Sequence, residues 1–132
     1  MMNMQSVTSI PFTVLCFFTL SSTALAQPQV NCKSPYTQFE MNVCAAQQAG
    51  DADRVLNHVY PQVIAKYKGT AQEDRLIDAQ ISWIKFRDLE CTFAKKRFEG
   101  GSIAPMVYSD CLKRLTIQRT QGLKVYLTEG GF

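Results

Sequence analysis

Four cysteines constrain the fold of this chain more than any other feature. Cys32, Cys44, Cys91 and Cys111 lie in the part of the chain that contains every charged residue, whereas Cys16 lies in an apolar N-terminal segment. An even number of cysteines in a small domain is typical of disulfide bonds formed in an oxidising compartment. We therefore expect two disulfides, for which three pairings are possible.

Zinc binding is the alternative use of four cysteines. Structural zinc sites use Cys and His ligands that come in closely spaced pairs. The chain has no C-x-x-C pair, and its single histidine is His58. The sequence therefore favours disulfides, with no metal and no cofactor.

The N-terminal segment is typical of a secretory signal peptide. Residues 1–26 contain no Asp, Glu, Lys or Arg, residues 10–20 form an apolar core, and residues 24–26 are Ala-Leu-Ala. A small-x-small site after such a core predicts cleavage behind it. The alternative is a transmembrane anchor, but the run is short and contains Pro11. We expect a periplasmic or secreted domain over residues 27–132 that is not inserted in a membrane.

The charge of this domain excludes few classes of function. The net charge is +3, which is too weak to predict nucleic-acid binding. Two basic patches, residues 95–97 and 113–114, are interpreted as solvated helix faces, with contact to an anionic glycan or a membrane surface as the alternative.

Three helix starts can be recognised. Thr37 with Glu40, and Thr70 with Glu73, have the spacing of a capping box, in which each side chain accepts from the other residue's backbone N–H. Ser102 is a favourable N-cap for a third helix.

Glycine and proline predict where these helices end or bend. Gly69 and residues 100–101 should end the first two helices, and residues 130–132 should form a loose tail. Residues 50–51 could interrupt the first helix, and Pro61 should kink it.

Apolar residues recur with helical spacing in all three segments, and no long run alternates with period two. The fold class predicted is therefore all-α, as an up-down-up three-helix bundle stapled by disulfides. The face expected to point inward on the second helix comprises Leu76, Ala79, Trp83, Phe86, Glu90, Phe93 and Arg97.

The bundle geometry favours one disulfide pairing. Cys91 lies ten residues before Gly101 and Cys111 ten after it, so both should lie side by side on antiparallel helices. Cys32 would then bond to Cys44 and tie the N-terminal arm to the first helix. The rival pair Cys44–Cys91 is also roughly equidistant from its turn and stays open.

No catalytic residues are predicted. A nucleophile needs an adjacent base, and His58 has the setting of an ordinary helix residue. Carboxylates that are close in sequence, Asp51 with Asp53 and Asp88 with Glu90, are two positions apart and point to different helix faces.

Polar residues on the inward faces should meet at mid-bundle around the single tryptophan. We interpret this set as a network that fixes helix register, with a recognition pocket as the alternative. Its members are Asp53, Asn57, Gln80, Trp83, Arg87 and Arg119.

The order of these residues and cysteines resembles the LprI-like proteins. The motifs that carry the resemblance are Cys32, Thr37-Gln38, Glu40-Met41-Asn42, Cys44-Ala45, Ala52-Asp53, Leu56-Asn57, Tyr60, Ala79-Gln80, Trp83, Phe86-Arg87, Cys91, Gly100-Gly101-Ser102, Cys111, Thr116, Arg119 and Leu123. The resemblance implies a bacterial, exported helical domain, and it implies pairing of the first two and the last two cysteines. The family is named for a member that inhibits lysozyme.

The function expected is that of a non-enzymatic periplasmic binding protein whose partner is lysozyme or another envelope protein. The positive charge argues against simple electrostatic steering, because animal lysozymes are also basic. The alternatives are a small envelope enzyme that acts on cell-wall glycan and a structural or stress-related envelope factor.

Overall fold

The computed structural model describes residues 30–128 and shows three α-helices joined by short turns. The helices are α1 (Gln38–Lys66), α2 (Ala71–Lys96) and α3 (Ala104–Thr128). Residues 30–128 contain no β-strand, so the all-α prediction is confirmed. The expected signal peptide over residues 1–26 and the tail at 130–132 lie outside the described residues.

Contacts at both ends show that α1 and α3 run parallel. The Asn42 Nδ2 near the start of α1 donates to the carbonyl oxygen of Ser102 at 3.0 Å. At the other end, the Lys66 Nζ donates to the carbonyl oxygen of Tyr126 at 2.6 Å. With α2 antiparallel to both, the predicted up-down-up bundle is confirmed. None of the helices within residues 30–128 is long and apolar enough to cross a membrane.

Both expected disulfides are present. Cys91–Cys111 joins α2 to α3, and Cys32–Cys44 joins the N-terminal arm to α1, each with a Cα–Cα distance of 5.4 Å. The rival pair Cys44–Cys91 is therefore excluded. Each bond closes a loop and so restricts the unfolded chain.

The first capping box closes as predicted. The Thr37 hydroxyl accepts from the Glu40 backbone N–H at 3.2 Å, and the Glu40 carboxylate accepts from the Thr37 N–H at 2.9 Å. That carboxylate also accepts from the Tyr36 N–H at 2.7 Å. These backbone hydrogen bonds, to Thr37 first and then to Tyr36, lower the pKa of Glu40 below its ordinary value.

The interruption expected at Gly50-Asp51 is wrong, because α1 is continuous from Gln38 to Lys66. Asp51 forms an ion pair with Arg54 one turn further on and does not cap a new helix. The buried face of the helix continues directly through Ala52. Pro61 lies inside α1, and the helix continues past this residue as far as Lys66.

The second capping box does not form. The Thr70 side chain makes no capping hydrogen bond, since its hydroxyl donates to the Tyr67 carbonyl at 2.6 Å. Gly69 has φ +76°, a conformation that glycine adopts readily. This turn presents the Gly69 N–H to the Glu73 carboxylate at 2.6 Å, so the acidic residue binds one position earlier than a capping box requires.

The second turn is longer than predicted. α2 ends at Lys96, before the stop expected at Gly100, and α3 begins at Ala104. The prediction of Ser102 as N-cap is therefore wrong. The Ala104 N–H donates to the Gly101 carbonyl at 3.1 Å. Ser102 therefore lies inside a tight turn that precedes α3.

The apolar core lies mainly between α1 and α3. One buried cluster contains Leu56, Val59, Val63 and Leu123. A second contains Cys91, Cys111 and Leu115. Trp83 packs against both clusters and so links α2 to the two other helices.

The inward face of α2 differs from the predicted one. Phe86 and Phe93 were expected inside but are 53% and 67% exposed. The buried residues of α2 are Gln80 and Cys91. The disulfide requires Cys91 to face α3, and Arg87 donates a hydrogen bond to Asp53 of α1. Because α2 is apolar on several sides, these two contacts fix its rotation about its own axis.

Candidate functional site

Arg87 is at the centre of the polar residues that the three helices bring together. Its Nη1 donates to the Asp53 carboxylate at 2.9 Å, and its Nε donates to the Asp88 carboxylate at 3.0 Å. The Arg87 side chain is 14% exposed, whereas the Asp53 side chain is 47% exposed. A largely desolvated guanidinium is thus neutralised by two carboxylates that keep part of their hydration.

Thr116 joins this ion pair from α3. Its hydroxyl donates to the Asp53 carboxylate at 3.3 Å and accepts from the Arg87 Nη1 at 3.4 Å. Thr116 is fully buried. We did not predict Thr116 as a site residue, although its register opposite Asp53 was a usable signal.

Arg119 forms a second, separate polar contact. Its Nε donates to the Gln80 side-chain oxygen at 2.9 Å, and Gln80 is 7% exposed. The Arg119 Nη2 is buried and has no hydrogen-bond partner. Burial is the main cause that lowers the pKa of Arg119, opposed by the nearby Tyr126 and Tyr60 hydroxyls.

Trp83 lies close to both guanidinium groups. The Cζ atoms of Arg87 and Arg119 are 5.1 Å and 6.0 Å from the centroid of its ring. Both distances allow a cation–π attraction. Asn57 was expected in the same set, but the structure places it on an exposed part of α1, because the buried stripe of that helix passes through the neighbouring Leu56.

Three of the four carboxylates considered for catalysis occupy ion pairs. Asp51 pairs with Arg54, and both Asp53 and Asp88 pair with Arg87. Within residues 30–128, no group of three His, Cys, Asp or Glu side chains is placed to hold a metal ion. These contacts favour a structural role over acid–base chemistry, and the Asp53–Arg87 pair joins α1 to α2.

The basic patches are partly engaged within the chain. Lys113 donates to Asp110 at 2.9 Å and to Gln48 at 2.8 Å, and the Lys95 Nζ lies 5.6 Å from the ring centroid of Tyr108. Lys residues with local partners of this kind are typical of a solvated surface.

α2 exposes an unusual number of large apolar side chains, which lie on more than one side of the helix. Besides Phe86, five of them are exposed at 36%, 62%, 41%, 62% and 67%. We call them the α2 outer face: Ile77, Ile81, Ile84, Leu89 and Phe93. Exposed apolar residues in this number on one helix are typical of a surface that binds another molecule.

Comparison with known proteins places this bundle in a family. The family model described as "Lysozyme inhibitor LprI" matches residues 31–123, a segment that includes both disulfides, the polar contacts and the α2 outer face. The chain belongs to the LprI family. The match begins at the N-terminal arm and ends within α3, so the family pattern covers nearly all of the described bundle.

One bacterial protein is similar to this chain over most of its length. The uncharacterized protein R02472 of Rhizobium meliloti (strain 1021) is 36% identical over 110 residues, which cover 74% of this chain and 79% of the relative. No solved structure matches the chain. The LprI family is described by lysozyme inhibition, which fits a protein that acts by binding.

Proposed function

We propose that this LprI-family chain is an exported protein that binds a lysozyme and blocks it, and that the α2 outer face is the docking surface. The observation that carries the proposal is the family match over residues 31–123. The rest of the argument concerns which part of the bundle can meet a protein partner.

The α2 outer face is the part of the described surface best suited to this contact. Ile81, Leu89 and Phe93 are each more than 60% exposed, and burial of apolar area is the main driving force of protein association. Because α2 buries few of its own residues in the bundle, it can present these side chains without unfolding. Aromatic side chains that become buried at the centre of an interface, as Phe93 could, are among those that anchor protein complexes.

The charge at the start of α2 is more favourable for contact with a basic enzyme than the net charge of the chain is. Glu73, Asp74 and Asp78 lie in the first turns of α2, beside Ile77, against a single basic residue, Arg75, in that segment. This acidic end can face a basic lysozyme even though the whole chain carries +3.

Export is part of the same proposal. Residues 1–26 act as the signal peptide, and residues 27–132 form the mature domain in the periplasm or outside the cell. Two disulfides support this location, since such bonds persist in oxidising compartments. The contacts among Asp53, Arg87 and Thr116 then serve to fix the bundle that carries the docking helix.

An inhibition assay with two substrates tests the proposal. Purified residues 27–132 are added in excess to several types of lysozyme, acting either on cell walls or on a soluble chito-oligosaccharide. We expect at least one lysozyme to be inhibited on both substrates, because the protein occupies the enzyme. Inhibition on cell walls alone would show that the chain shields glycan, and unchanged rates on both substrates would refute the proposal.

A further inference from the structure

A small cavity lies where the ends of α1 and α3 meet the first turns of α2. Its volume is about 240 Å³, and every residue that lines it is either uncharged or basic. We call it the arginine pocket, and the lining residues that matter here are Tyr67, Arg75, Leu76, Ala79, Arg119 and Tyr126. Two arginines and no acidic residue line this recess, although acidic residues of the first turns of α2 lie nearby in the chain.

Arg119 lies at the inner wall of this pocket with unused hydrogen-bonding capacity. Its Nε is bound to Gln80, but its Nη2 is buried without a partner. No carboxylate in residues 30–128 forms a salt bridge with it. A buried guanidinium N–H that lacks an acceptor is costly, so an acceptor from outside the chain would be bound favourably.

Arg75 supplies the second positive charge. It is exposed, and it too has no salt bridge with a carboxylate of the described residues. Tyr67 and Tyr126 add two phenol groups to the lining. The planar guanidinium group of arginine can donate two parallel hydrogen bonds to a carboxylate. Charge-assisted hydrogen bonds of this type are among the strongest in proteins.

We propose that the arginine pocket binds an organic carboxylate that carries a short apolar group. The two guanidinium groups hold the carboxylate, and Leu76 and Ala79 provide the apolar wall that an inorganic anion would not use. The volume fits a group of about the size of one amino-acid residue. This proposal does not rest on the docking of lysozyme on the α2 outer face.

Fluorescence of Trp83 provides the measurement. It is the single tryptophan of the chain, and Arg119 lies over its ring. The probes are butyrate, as a free acid, and N-acetyl-alanyl-alanine, as a chain-terminal carboxylate. Their amides and inorganic phosphate are the controls. We expect a saturable change with an acid and none with its amide, and the acid that binds more tightly identifies the source of the carboxylate.

Two variants locate the binding. Arg75→Gln and Arg119→Gln should each weaken binding of the acid about tenfold or more, whereas Arg54→Gln on the exposed surface of α1 should bind as the parent does. If Arg119→Gln does not fold, the affinity of Arg75→Gln for the acid tests the proposal, because Arg75 is exposed and its replacement should leave the fold intact. Absence of saturable binding by either acid would overturn the proposal, as would an equal response to amide or phosphate, or parent-like binding by Arg75→Gln.

Discussion

At the scale of single residues, the two arginines of the mid-bundle differ in how they are neutralised. Arg87 has two carboxylate partners, Asp53 and Asp88. Arg119 has an amide and an aromatic ring, through Gln80 and Trp83. Helix register predicted that Asp53 and Arg87 would lie near each other. It could not predict the orphaned Nη2 of Arg119, because that depends on the rotamer and on the local packing.

Loss of Asp53 should destabilise the domain moderately. Asp53→Ala removes one partner of the mostly buried Arg87 and an acceptor of the buried Thr116 hydroxyl, but Asp88 remains. We expect a loss of about 1–2 kcal/mol in the free energy of unfolding, measured by chemical denaturation. The control Arg54→Ala breaks an exposed pair and should cost less than about 0.5 kcal/mol. Equal stability of Asp53→Ala and the parent would show that the network is not structural.

Glu40 should make the stability of the domain depend on acid pH. Its folded-state pKa lies below the ordinary value of 4.5 because its carboxylate accepts backbone hydrogen bonds. A lowered pKa stabilises the fold above that ordinary value, and this contribution is lost as the pH falls through the folded pKa. The melting temperature of the parent should therefore fall more between about pH 6 and about pH 3 than that of Glu40→Gln. Parallel pH profiles would contradict this assignment.

At the scale of helices, α1 and α3 were more predictable than α2. The spacing of Leu56, Val59 and Val63 defines one apolar stripe, and the structure buries all three. On α2, Phe86 and Phe93 lie on a different side from Cys91, so apolar spacing alone gave the wrong rotation. The disulfide and the polar contacts decide how α2 is oriented, and neither can be read from periodicity.

Removal of the Cys91–Cys111 disulfide should loosen α2 selectively. The bond closes a separation of 20 residues, and the Cys32–Cys44 bond closes one of 12. Each is expected to contribute about 3 kcal/mol through the unfolded state. Because α2 buries so little else, Cys91→Ala/Cys111→Ala should speed amide hydrogen exchange in α2 more than in α1 or α3.

The matched control is Cys32→Ala/Cys44→Ala, which frees the N-terminal arm. Its faster exchange should be confined to the arm and the first turns of α1. If the two double variants changed exchange in α2 equally, the disulfide would not be the main anchor of that helix.

At the scale of the whole molecule, the bundle consists of a packed pair of helices and a third helix that presents apolar residues to solvent. The sequence alone predicted the helix count, the disulfides and the family resemblance. It did not predict the α2 outer face, because Phe93 was assigned to the inward face of the helix. A surface of this kind appears only when the rotation of α2 is known.

The docking role of α2 is tested by a variant whose α2 outer face is polar. The variant is titrated into a lysozyme that the parent protein inhibits. Ile81→Ser/Phe93→Ser changes two side chains that are 62% and 67% exposed, and the control Val55→Ser changes one that is 47% exposed on α1. All three proteins should melt at nearly the same temperature, because exposed positions contribute little to the core. We expect the double variant to lose about tenfold or more in inhibitory potency while Val55→Ser keeps the potency of the parent. Equal potency of the double variant and the parent would contradict the claim that α2 docks the enzyme.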